Sequence, residues 1–293
     1  MEKRLLLVFI LILVSITPVT ASTSYAVYFR EPIYGLNLDW DDSLDVRLEL
    51  QELFGTIVFA ISVERDNAYG LVAVFTNRGQ FVSFQLQYPA SEKVHISHIQ
   101  DKALNEIVAA ELIMAHMMGF GLDAVLTQLE ELRLVHFGGF TLHHLFADQA
   151  GNAAIIEVGE EENEIIFSEE QFIVMTNFKN SDFRDVPYYQ VTGEGADRYI
   201  KAHELIQAHR SNFDCDAAFE VLKATTQEST VSSLVFIPKE NSVYFTLFGD
   251  FDKVWKVSLD EKTLETYRGF AEHKKSPITQ VGLFGSDLVK GVF

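Results

Sequence analysis

The sequence predicts an α+β chain in which sheets carry helices packed on their outer sides. Three observations predict it. Strand-like segments give way to helical spacing and then return, in the order strands, helices, strands, helices, strands. No linker, low-complexity stretch or internal repeat separates them, so residues 22–293 read as one domain. The 293 residues are 48% hydrophobic, enough to bury a substantial core.

The elements follow in chain order. Ser24–Phe29 is rich in β-formers, Arg30–Ile33 carries a turn signal, and Tyr34–Leu38 resumes a strand. Thr56–Val63 is almost continuously apolar, as in a strand buried on both faces. Leu71–Phe75 and Phe81–Leu86 flank Thr76-Asn77-Arg78-Gly79, a hairpin turn. The period then changes. Ala103–Met118 places Leu104, Ile107, Val108, Leu112, Ile113 and His116 at helical spacing, which predicts a helix ended by Gly119–Gly121. Leu122–Leu134 predicts a second amphipathic helix. Phe140–Phe146, Ala153–Val158, Ile165–Phe167 and Phe172–Thr176 read as short strands, Ala196–His209 and Asp216–Ala224 as helices. Val231–Ile237, Val243–Leu247 and Val254–Val257 are the closing strands.

The first residues predict export. Lys3 and Arg4 precede the unbroken apolar run Leu5–Val14, and Val19-Thr20-Ala21 offers small residues for a signal peptidase. Cleavage after Ala21 leaves Ser22 first. A cut after Ala26 is the second reading, and an uncleaved anchor the third. The apolar run is short for a span of about 20 residues, and no second run follows, so the processed chain is expected to be soluble and extracytoplasmic, with no stable membrane span.

Charge and side-chain inventory exclude several functions. The formal net charge is −19, which repels phosphate backbones and argues against nucleic acid as a partner. One cysteine, Cys215, allows neither an internal disulfide nor a thiolate zinc cluster; at the start of a helix it reads as a structural thiol. His143 and His144 point to opposite faces of a strand, and His95 and His98 lie in a loop; neither pair has a third ligand, so no metal is expected. No G-x-S-x-G elbow, glycine-rich phosphate loop or H-E-x-x-H is present.

The N-terminus carries the chemistry. A free α-amino group has a pKa of about 7.7–8.0 and serves as a base near neutral pH. On a residue with a hydroxyl, base and nucleophile share one residue. Processing before Ser22 would create that pair.

Ser22-Thr-Ser-Tyr25 is followed by Gly35-Leu-Asn-Leu-Asp-Trp40. Further on come Asp148-Gln-Ala-Gly-Asn-Ala-Ala-Ile-Ile-Glu157, Val174-Met-Thr-Asn-Phe178 and Gly195-Ala-Asp-Arg-Tyr-Ile200. In this order and spacing the chain resembles the choloylglycine hydrolase and penicillin V acylase group of N-terminal nucleophile hydrolases, over essentially all of residues 22–293. The resemblance implies a four-layer αββα sandwich of two antiparallel sheets flanked by helices. It implies hydrolysis of a linear carbon–nitrogen amide bond, with a small-molecule N-acyl amine or amino acid as substrate and no cofactor. It implies Ser22 as nucleophile, Asp39 orienting its amine, Asn177 and Asn77 contributing to the oxyanion site, and Arg198 near the nucleophile. Related enzymes are often tetramers, so a homo-oligomer is implied too. Two positions depart from the pattern. Ser22 stands where the family usually has cysteine, although serine is the nucleophile in other N-terminal nucleophile hydrolases such as penicillin G acylase. Leu36 stands where an arginine is expected, with Arg30 or Arg78 as candidate replacements. Read singly, Asp39, Asn77 and Asn177 are turn residues and Arg198 a surface cation. The alternative function is a catalytically silent, extracytoplasmic binding protein for acyl or amide ligands.

Overall fold

Side-chain parity along the strands divides the interior of the molecule into three layers of core, and a computed structural model makes them explicit. It describes residues 22–40, 45–65, 68–91, 94–137, 140–168, 170–278 and 282–291. The expected signal segment 1–21 lies outside them.

The first sheet has eight antiparallel strands, in spatial order Phe172–Met175, Thr23–Val27, Ile33–Asp39, Thr230–Ile237, Ser242–Leu247, Val254–Ser258, Thr263–Arg268 and Lys275–Pro277. The second also has eight, in the order Asn163–Phe167, Ala153–Val158, Leu142–Ala147, Phe81–Leu86, Ala68–Thr76, Thr56–Arg65, Asp45–Leu53 and Leu283–Phe284.

Successive strand residues face opposite sides. In the first sheet Ala26, Tyr34, Leu36, Leu38, Leu234 and Phe236 join Phe59, Ile61, Phe75, Phe81, Leu145 and Ile155 of the second in one core between the sheets. Their neighbours point outward. Tyr25, Val27, Ile33, Val235 and Ile237 pack on Ala202, Ile206, Ala218 and Leu222 of the helices Ala196–Ala208 and Cys215–Ala224. Val58, Val74, Val82, Phe84 and Ile156 pack on Leu112, Ile113, Val125 and Leu129 of the helices Ala109–Ala115 and Gly121–Glu131. Helix, sheet, sheet and helix are therefore the four layers.

Two local devices tie the first sheet to its helices. Gly35 lies under the ring of Tyr25; a Cβ there would sit 2.1 Å from Cζ. Its absence lets Tyr25 cross to the helix and donate its hydroxyl to the Ala218 carbonyl at 2.7 Å. Asn37 donates from Nδ2 to the Leu222 carbonyl (2.8 Å) and Thr225 Oγ1 (3.0 Å), closing the C-terminus of Cys215–Ala224. The N-terminus of that helix is capped by Asp214, which accepts from the Ala217 N–H.

Ala103–Met118 departs from the predicted helix. Leu104 is wholly exposed, and Glu106–Val108 is a short strand parallel to Arg133–Phe137. The α-helix begins at Ala109 and passes at His116 into a π-helical turn. The β-branched Ile107 and Val108 satisfy the helical period but are buried by strand pairing, which prevails over local propensity. The same pairing ends the second helix at Glu131 rather than Leu134. Asp45–Leu53 and the three strands after Thr263 were not among the expected elements. Among the described residues no helix is long and apolar enough to cross a membrane.

Candidate active site at the start of the first strand

Ser22 immediately precedes Thr23–Val27, which lies between Phe172–Met175 and Ile33–Asp39. The register sets Thr23 opposite Asn37 and Ser24 opposite both Leu36 and Met175. This brings the ends of three chain segments to Ser22. Its backbone nitrogen donates to Asn177 Oδ1 at 2.9 Å. In the full-length chain this nitrogen is a peptide N–H joined to Ala21. The Ser22 Oγ accepts a long, 3.5 Å contact from the Asp39 N–H.

Arg198, in the first turn of its helix, reaches into the same place. Nη1 donates to the Ser22 carbonyl (2.5 Å) and Thr23 Oγ1 (2.9 Å), and Nη2 donates to Asn177 Oδ1 (2.8 Å). Nη1 also stands 3.9 Å from Asp39 Oδ2. Asn177 Nδ2 donates to the Leu86 carbonyl at 2.8 Å. Since Oδ1 faces two donors and Nδ2 an acceptor, the amide orientation is set by the network. Ser22, Asp39, Asn177 and Arg198 are all buried.

The Asp39 carboxylate accepts from Gln227 Nε2 (2.7 Å) and from Thr230 Oγ1. Burial pushes its pKa up to about 6; Thr230, Gln227 and Arg198 oppose the rise without cancelling it. Burial likewise lowers the Arg198 pKa, against the attraction of Asp39, Asp197 and Glu194.

Four of the five expected residues thus converge. Asn77 does not join them. It ties the hairpin turn to the neighbouring strand Thr56–Arg65, donating its N–H to the Ile57 carbonyl (3.0 Å) and accepting the Ile57 N–H on Oδ1 (2.9 Å). Neither candidate replacement arginine is recruited: Arg30 is exposed in a turn, and Arg78 is exposed and reaches the Met118 carbonyl. The guanidinium beside Ser22 belongs to Arg198, while Leu36 is packed into the core between the sheets.

Residues not anticipated complete the site. Gln227 and Thr230 hold Asp39. Gln85 crosses from the second sheet. With its amide oriented to satisfy both atoms, it donates to the carbonyls of Thr176 (2.8 Å) and Ser22 (3.2 Å) and accepts from Ser24 Oγ and N–H. Ser83 Oγ donates to Ser24 Oγ at 2.9 Å. Gln87 is buried two residues on, with Oε1 unpartnered. Polar residues at every second position of Phe81-Val-Ser-Phe-Gln-Leu-Gln87 were the available signal: one face of that strand is polar inside an apolar sandwich.

Other chemistry-bearing residues are placed elsewhere. The Cys215 thiol is pushed up to about 12, chiefly by burial and then by the carboxylates of Asp216 and Glu240, so it stays protonated. His143 and His144 do face opposite ways. His143 Nδ1 bonds Glu157 at 3.1 Å, while His144 stacks on His136. Burial pushes the Glu157 carboxyl up, but His143 and the N–H groups of Ser181 and Asn180 outweigh it and hold it at about 2. Among the described residues no group of three His, Cys, Asp or Glu is placed to hold a metal ion.

No protein-family model and no curated protein matches the chain. Solved structures do match. A cysteine-to-alanine mutant of the conjugated bile acid hydrolase from Clostridium perfringens superimposes with a TM-score of 0.60 at 14% identity, covering 88% of this chain and 97% of that one. An arginine-to-leucine variant of the same hydrolase gives 0.59 at 13% identity, with the same coverage. Penicillin V acylase from Agrobacterium tumefaciens gives 0.55 at 13% identity, covering 90% of this chain and all of that one. The chain has the α+β sandwich fold of these amide hydrolases.

Proposed function

We propose that this chain is an exported amide hydrolase of the choloylglycine hydrolase and penicillin V acylase family, activated by removal of residues 1–21. The observation that carries the proposal is the convergence of Asn177, Arg198 and Asp39 on the backbone nitrogen, carbonyl and hydroxyl of Ser22. Cleavage after Ala21 turns that nitrogen into an α-amine already held by Asn177.

In the proposed reaction the neutral α-amine takes the Ser22 Oγ proton as Oγ attacks the amide carbonyl. The tetrahedral oxyanion is stabilised by Asn177 Nδ2, which has a second hydrogen beyond the one given to Leu86. The carbon–nitrogen bond breaks as the ammonium returns the proton to the leaving amine. Water, deprotonated by the same amine, then attacks the Ser22 ester and releases the acid. The Asp39 carboxylate balances the positive charge that passes through the amine, while Arg198 holds the Ser22 carbonyl and the Asn177 side chain in place. The substrate class is an N-acyl amine or N-acyl amino acid with an apolar acyl part.

Leu36, fully buried where the family has an arginine, favours one alternative: a silent relative that binds acyl amides outside the cytoplasm. One experiment separates the two. The exported protein is sequenced from its N-terminus and then offered a panel of N-acyl amides beside Ser22→Ala. The hydrolase reading expects Ser22 first and turnover lost in the variant. Binding of acyl amides with no turnover by a chain that begins at Ser22 supports the silent relative.

A further inference from the structure

At one side of the sandwich the edge strands of both sheets, Asn163–Phe167 and Phe172–Met175, are bridged by the segment 178–191. Between them lies a cavity of about 640 Å³, a volume typical of small-molecule sites. Ser22, Asp39, Asn177 and Arg198 are not among its lining residues.

Its walls are aromatic. His203 stacks face to face on Tyr188, with ring centroids 3.9 Å apart and planes 8° from parallel, and Phe172 meets His203 edge-on at 4.8 Å. Phe178 packs edge-on against Tyr199 at 5.1 Å. His203 is 9% exposed, and its Nδ1 has no hydrogen-bond partner. Burial lowers the pKa of this imidazole, against the carboxylates of Glu170 and Glu204.

The charge on the lining is acidic. Glu170 and Asp185 both line the cavity. Arg184 lines it too, but its guanidinium is committed: Nη2 donates to Glu164 at 2.6 Å and Nη1 to the Ile165 carbonyl at 3.1 Å. Glu170 accepts only from the neutral amide of Gln207 in the hydrogen bonds described. Among the described lining residues an anion meets two carboxylates and no uncommitted guanidinium, whereas a cation meets carboxylates and aromatic walls.

We propose that this side cavity is a binding site for an organic ammonium ion with an apolar body, held by the Tyr188, Tyr199 and Phe172 rings and by Glu170. Ring quadrupoles attract such cations. The site is independent of Ser22 and of the hydrolase reading.

Isothermal titration of the processed protein near pH 7 tests it, using phenyltrimethylammonium and benzylamine, with benzyl alcohol and phenylacetate as neutral and anionic counterparts. Both ammonium probes are expected to bind at least about tenfold more tightly than benzyl alcohol, and phenylacetate more weakly still. Tyr188→Ala should lose about tenfold in ammonium affinity while Tyr188→Phe retains it, and Glu170→Gln should lose severalfold. Ser22→Ala should bind as the parent does, which keeps this test apart from that of catalysis. Equal affinity for the ammonium and neutral probes, tighter binding of phenylacetate, no ammonium binding at millimolar concentration, or affinities unmoved in folded Tyr188→Ala and Glu170→Gln would each overturn the proposal.

Discussion

Two of the polar clusters buried among the described residues treat charge in opposite ways. Around Ser22 a guanidinium, a carboxylate and an amide are each partnered, and Arg198 alone makes three hydrogen bonds there. Elsewhere His136, on the short strand Arg133–Phe137, stacks on His144 of the second sheet with centroids 5.8 Å apart, and both ring nitrogens of His144 lack a hydrogen-bond partner, as does Nε2 of His136. Burial, reinforced by neighbouring histidines, pushes His144 down to about 3 and His136 well below its usual value. The difference teaches what each region is fit for. The first stabilises charge where none could stand alone; the second excludes it. The proton transfers of the proposed acyl transfer call for the first kind of surroundings.

The largest effect expected from breaking this contrast is on rate. Ser22→Ala should reduce amide hydrolysis by at least about 10³-fold while leaving the urea midpoint nearly unchanged, as initial rates and an unfolding curve would report. Next is Arg198→Met, which takes the neighbouring guanidinium from the Asp39 carboxylate and leaves it only the neutral donors Gln227 and Thr230. It should cost about 3–5 kcal/mol in urea unfolding near pH 7. The part of the cost that comes from Asp39 should shrink as the pH falls toward 6, because without Arg198 its carboxyl takes up a proton at a higher pH than in the parent, and Asp39→Asn in the same chain should recover part of it.

A smaller effect belongs to the histidines. Their folded pKa values lie below the unfolded value of about 6.5, so the unfolded chain binds the extra protons. Stability should therefore fall as pH drops from about 6.5 toward 3. Asp39 works the other way, because its folded pKa is raised: it favours the folded state increasingly as pH falls from 6 toward 3.8. His136→Phe with His144→Phe should flatten the acid loss, read from urea midpoints at neutral and mildly acidic pH. The smallest effect is Asn37→Ala, which removes one of three side-chain donors to the Leu222 carbonyl and should cost about 1 kcal/mol.

Much of the fold was legible because parity and period are local. Tyr34–Leu38, Ala153–Val158 and Ala196–His209 could be read from alternation or helical spacing alone, and the structure keeps them within a residue or two. Glu106–Val108 could not. Its pairing with Arg133–Phe137 is a contact between distant segments, and the spacing of Leu104, Ile107 and Val108 fits a helix equally well. The site divides in the same way. Ser22, Asp39, Asn177 and Arg198 lay at motif positions and do come together. Asn77 matched a motif by order but binds its hairpin turn to the adjacent strand Thr56–Arg65. Gln85, Gln227 and Thr230 belong to no local pattern that names a partner. Their role comes from the register that lays one sheet over the other and from the turn before Thr230–Ile237.

The central claim is that Ser22, once exposed as the N-terminus, is the nucleophile. Mass spectrometry of the tryptic peptide Ser22–Arg30 tests it most directly, on exported protein mixed with an N-acyl amide it turns over and quenched in acid. The account predicts a peptide that begins at Ser22, carries one acyl group on the hydroxyl and retains a free α-amine. A mature chain that begins at any other residue, or turnover with that peptide never acylated, would contradict it.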